Sequence, residues 1–125
     1  MGLFSSKSTQ NNVKNVDEPI EGYKMVNLFK NVKVRRMGII PEGTKIGSHV
    51  ILMHQAGNKS TYESVSLLLV PQKKLFGYID DKIIGREIIR CLKNTDKSVA
   101  RITYFNPKPY EYQSTIDIAF FKKVK

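Results

Sequence analysis

From Tyr23 onward, apolar positions come in short bursts separated by turn-forming residues, the pattern of a β-rich chain. Val32 and Val34 flank Lys33, and this alternation predicts a half-buried strand over residues 31 to 36. Pro41-Glu42-Gly43 marks a turn, with Gly47 close behind. Residues 49 to 54 read as a second strand, and residues 55 to 61, which contain Gly57-Asn58, read as a loop. Residues 64 to 70 are apolar up to Pro71, which cannot donate to a ladder and so ends a strand. Residues 74 to 79 form the next strand. Only Pro71-Gln72-Lys73 separates the two, a spacing that predicts a hairpin. Two more strands, at residues 99 to 104 and 115 to 121, flank the stiff segment Asn106-Pro107-Lys108-Pro109.

One helix is expected over residues 81 to 93, with Ile83, Ile84, Ile88, Ile89 and Leu92 read as a single buried face. Asp80 or Asp81 can cap its start, where the helix dipole favours negative charge, and Asn94 suits its end. Five or six short strands with one main helix predict a β-rich α+β fold, a small OB-like barrel. A doubly wound sheet would need helices between its strands. Residues 1 to 22 are rich in Ser, Thr, Asn, Gln and Lys and are expected to form a disordered polar tail, leaving residues 23 to 125 as the domain.

Charge adds a partner class to this picture. The 125 residues carry 21 Lys and Arg against 11 Asp and Glu, a net +10. The tail holds two basic and three acidic residues, so the other 103 residues carry +11 and the positive charge belongs to the folded part. A polyanionic partner is expected on that ground. The only cysteine, Cys91, excludes an internal disulfide, and His49, His54 and Cys91 match no zinc spacing. No apolar run reaches the length of a membrane span and no signal-peptide pattern is present, so a cytoplasmic protein is expected. Met1-Gly2 with Ser6 fits the loose N-myristoylation pattern, which is read here as an ordinary polar terminus.

Signals for catalysis are weak. There is no phosphate-binding glycine loop and no nucleophile elbow. Asp80 and Asp81 are adjacent, so their side chains diverge, and they read as capping residues. His49 and His54 fall on opposite faces of one strand. Cys91 reads as a small buried apolar residue. A non-enzymatic protein without cofactor or metal is expected. Arg35 and Arg36, Lys73 and Lys74, and Lys122, Lys123 and Lys125 form basic clusters, with Tyr62, Tyr78, Tyr104, Phe105, Tyr110 and Tyr112 interleaved. Basic residues among aromatics are the means by which single-stranded nucleic acid is gripped. Phe76, Phe120 and Phe121 are assigned to the core instead.

Residues 31 to 121 resemble a HIRAN domain. Gly47-Ser48-His49-Val50-Ile51-Leu52 looks like that family's opening glycine and strand. Tyr62-Glu63 stands where the family has Asn-Pro-Tyr-Asp, with Ser60-Thr61 in place of Asn-Pro and Glu63 one methylene longer than Asp. Phe76-Gly77-Tyr78-Ile79 before the helix is similar to the family's Val-Gly-Tyr-Ile. The resemblance implies a six-stranded OB-like barrel that binds single-stranded DNA or DNA ends, with a preference for a free 3′ end. It implies phosphate contacts from Arg35 or Arg36, stacking or a phosphate contact at Tyr62, and an acceptor for the 3′ hydroxyl at Glu63. It also implies a contact from Tyr78 and base stacking on Phe105. Two other readings stand beside it. The basic face could meet an acidic protein in a regulatory module of a phage or mobile element. Asp80, Asp81 and Glu63 could hold Mg²⁺ in a nuclease accessory fold, which ranks last.

Overall fold

The computed structural model describes residues 15–36, 40–55, 64–106 and 113–124. Among these residues, six antiparallel strands close into an OB-like barrel with one helix: β1 (Tyr23–Arg36), β2 (His49–Gln55), β3 (Ser64–Leu69), β4 (Lys74–Ile79), α1 (Lys82–Asn94), β5 (Lys97–Phe105) and β6 (Gln113–Lys123). Around the barrel the order is β1-β4-β3-β2-β5-β6. The hairpin read around Pro71 is present, with Leu69 opposite Lys74, and the Val70-Pro71 bond is cis.

Strand β1 begins well before residue 31, where the alternation starts. Between Tyr23 and Lys30 both faces are largely exposed, so no two-residue period marks this half as a strand. It is held by its ladder to β6, which runs from Tyr23 opposite Lys123 to Arg35 opposite Gln113. Register shifts after Met25 and Phe29 bend the strand, and Asn31 adopts a left-handed φ of 55° while its backbone N–H donates to Asp117 Oδ1 at 2.8 Å. The bend carries β1 from β6 round to β4.

The main core fills the barrel with Val32, Val34, Val50, Leu52, Val65, Leu67, Leu69, Phe76, Ile79, Ile102, Ile116, Ile118 and Phe120, each at most 9% exposed. Phe29 meets the Phe120 ring edge-on at 5.9 Å. Helix α1 adds Ile84, Ile88, Ile89, Cys91 and Leu92 to this core. Ile83 is not part of that face and is 75% exposed. At about 100° per residue, Ile83 lies on the opposite side of the helix from Ile88 and Leu92, so grouping it with them on spacing was an error. Between Ile118 and Phe121, strand β6 is buried on both faces. Ala119 and Phe121 point away from the main core and pack under Val16, with Ile20, Tyr23 and Val99 around them. Residues 15 to 22, grouped with the polar tail by composition, therefore supply a buried valine.

The barrel closes where Arg35 pairs with Tyr78 and Arg36 with Gly77. A methyl group on Gly77 would stand 2.4 Å from the Arg35 carbonyl oxygen and 2.9 Å from Val34 Cγ1. No other residue allows β1 and β4 to approach this closely. Gly77→Ala is expected to destabilise the protein by about 3 kcal/mol, the upper part of the usual range for overpacking. A urea titration should show a large fall in midpoint, and an unchanged midpoint would mean that the seam can widen freely.

Candidate nucleic-acid interface

The pairing of the strands assembles one continuous row of side chains. Met53 opposes Ser66, Ser66 opposes Tyr78, Tyr78 opposes Arg35, and Arg35 opposes Gln113, so the row crosses β2, β3, β4, β1 and β6. Directly paired residues share a face of the sheet, with Cβ atoms about 5 Å apart. The alternating residues Val65, Leu67, Val34 and Ser114 are buried, so the row lies on the outer face. On one side of it, Ile51, Leu68 and Leu75 are paired in turn, with Ile51 and Leu75 exposed. On the other side, Lys33 pairs with Thr115 and Thr115 with Tyr104, which is 48% exposed. Thr115 and Thr103 share a hydrogen bond of 2.6 Å.

The Arg35 end of this face contains a groove of about 500 Å³ lined by Lys33, Arg35, Asp80, Asp81, Tyr104 and Gln113, among others. The two aspartates divide their work. Asp81 is the N-cap of α1, its Oδ1 accepting from the N–H groups of Ile83 and Ile84, both at 2.9 Å. Asp80 turns to the barrel and accepts from Arg35 Nε at 3.1 Å, with Arg35 Nη2 also 3.1 Å from the same oxygen. Both side chains are about half exposed, so this ion pair adds little stability. Its importance is local: two cations and two carboxylates line the groove, whose charge is close to balanced.

The residues singled out in the sequence do not share one surface. Arg35 and Tyr78 are direct neighbours on the outer row. Arg36, the next residue along β1, points inward and is 2% exposed. Phe105 opposes Ser114, an inward position, and packs partly buried against the main core. Both follow from the alternation of a strand, which sends consecutive residues to opposite faces. Tyr62, Glu63, Tyr110 and Tyr112 lie outside the described residues. Lys33, Tyr104, Gln113 and Asp80 complete the groove and were not singled out as its members. The two-residue period links Lys33 to Arg35, but Tyr104 and Gln113 join them only through the β1–β6–β5 register, which no local pattern carries.

The remaining reactive groups give no second chemistry. Burial and, secondarily, Glu87 push the Cys91 thiol above its ordinary pKa, so its nucleophilic thiolate is disfavoured. Among the described residues no group of three or more His, Cys, Asp or Glu side chains is placed to hold a metal ion, and no helix is long and apolar enough to cross a membrane. No family model, no curated protein and no solved structure matches the chain.

His49 pairs with Arg101 at the β2–β5 junction, where Arg101 Nη1 donates to the Gly47 carbonyl at 2.9 Å. Desolvation, followed by the Arg101 charge, lowers the His49 pKa below 6.5. Below pH 6.5 the unfolded chain therefore takes up this proton more readily than the folded one. The contribution of His49 to stability is complete above pH 6.5 and is lost as the pH falls through the folded-state value. Urea midpoints measured from pH 7.5 down to 5 should decline, and less so in His49→Gln; equal declines would assign the effect to other groups.

Proposed function

We propose that this protein is a non-enzymatic module that binds single-stranded DNA in the cytoplasm, laying the strand across the Tyr78–Arg35 row. The supporting observation is the row itself. It pairs a half-buried tyrosine with an arginine across β4 and β1, with an exposed tyrosine, Tyr104, and a lysine lining the adjoining groove. A base can stack on either ring while Arg35 and Lys33 meet phosphates, the combination that holds single strands without reading their sequence. Exposed Met53, Ile51 and Leu75 extend an apolar floor beyond Tyr78, suited to the faces of further bases.

Because the groove is close to electrically balanced, stacking carries a larger share of the affinity here than in a groove lined with cations alone. Asp80 acts as a competitor. A phosphate reaching Arg35 must displace a carboxylate that already accepts from it. The element Phe76-Gly77-Tyr78-Ile79 is also the most specific part of the stretch that resembles a HIRAN domain, and a preference for 3′ ends of that type would rest on Tyr62 and Glu63. A second reading, an acidic protein partner, is favoured by the exposed Met25, Val26 and Leu28 between Lys24 and Lys30 on β1, where that strand is paired on its β6 side alone among the described residues.

Fluorescence anisotropy with a labelled oligothymidylate separates the two. The DNA reading expects binding that weakens steeply with added salt. It is abandoned if no such binding appears at low ionic strength and acidic proteins are captured from nuclease-treated lysate. Tyr78→Ala should weaken DNA binding by about 1–3 kcal/mol, roughly 5- to 150-fold, with the fold intact by circular dichroism. Asp80→Asn should act in the opposite direction. It removes the carboxylate that competes with phosphate for Arg35, tightening binding and steepening the salt dependence by about 0.7 in log–log slope. Weaker binding by Asp80→Asn would remove Arg35 from the interface.

A further inference from the structure

We infer that the exposed side of helix α1 is a second contact track, along which a single strand leaving the groove continues. The inference rests on the proposed DNA-binding role and adds to it the path and the length of strand engaged. Lys82, Arg86, Arg90 and Lys93 are all exposed, at helix positions i, i+4, i+8 and i+11. At about 100° and 1.5 Å per residue these four fall within an arc of about 80° and extend over roughly 16 Å. They form a straight rail of positive charge rather than a scattered shell.

Three observations favour a linear polyanion as its occupant. First, the rail is fixed in direction. The opposite side of α1 is committed to the barrel core through Ile84, Ile88, Ile89 and Leu92, so the basic side cannot turn inward. For the same reason α1 has no apolar face to sink into a bilayer, as an interfacial helix must. Second, two of the four charges, Lys82 and Arg86, are badly placed for helix stability, whereas Lys93 suits the last turn. The first turn has no acidic residue, and Lys82 and Arg86 occupy the half of the helix nearer its positive end, where cations are unfavourable. Glu87 is the only acidic residue in the helix, and it pairs with Arg90. Third, the rail is continuous with the groove, which is lined by Asp80 and Asp81, the two residues immediately before Lys82. A strand passing the Arg35–Asp80 pair therefore arrives at the start of the rail.

The test compares oligothymidylates of about 6 and about 20 nucleotides, within and beyond the reach of one small barrel. Measurements near 0.15 M salt keep distant charges screened beyond about 8 Å. The triple variant Arg86→Gln, Arg90→Gln, Lys93→Gln should bind the short oligomer as wild type does. On the long oligomer it should bind more weakly, with a salt slope shallower by about 2, the value for three lost phosphate contacts. Glu87→Gln should tighten the long oligomer alone. Glutamine keeps helix propensity high, and circular dichroism with a urea midpoint verifies folding. Unchanged binding of the long oligomer, or an equal loss at both lengths, overturns the rail while leaving the groove reading intact. Failure of the wild type to bind either oligomer removes both.

Discussion

The barrel closes through one narrow seam, and the other elements are arranged around it. Gly77 brings β4 against the backbone of β1 at Arg35, at a distance that a single methyl group would forbid. To reach that seam, β1 pairs along β6, bends at two irregularities and only then meets β4. Helix α1 follows directly from β4 and adds its isoleucines to the same core, so the seam, the helix start and the groove share a short stretch of chain from Gly77 to Asp81. One turn of sequence thus contains the closure of the fold, the cap of the helix and the partner of Arg35.

Much of this architecture could be read from the chain. The strands between residues 49 and 79, the hairpin at Pro71 and helix α1 follow from local patterns: apolar runs, proline punctuation and a 3.6-residue period. The first half of β1 could not be read this way, because its residues face solvent on both sides and are held by pairing with a strand some ninety residues away. The placement of Ile83 failed for a different reason. Its spacing grouped it with the buried isoleucines, although its angle on the helix, about 100° per residue, puts it beside Arg90.

The site divides along the same line. Arg35 and Tyr78 were expected in the site from the interleaving of basic and aromatic residues and from the HIRAN resemblance, and the register makes them neighbours. Arg36 and Phe105 were chosen by identical criteria and point inward, since residue type does not say which face of a strand a side chain occupies. The net charge was equally directionless. Two carboxylates offset two cations in the groove, and four cations line one side of α1, an arrangement that appears only once the helix is set against the barrel.

The position of the row has a mechanical consequence. Tyr78 and Arg35 stand on opposite banks of the closing seam, so a molecule held by both acts as a staple across it. Separating β1 from β4 would then require breaking the ligand's grip as well as the ladder. Occupancy and closure become linked equilibria, each strengthening the other by the same free energy. A barrel whose narrowest join relies on a glycine would in this way be hardest to open when it is bound.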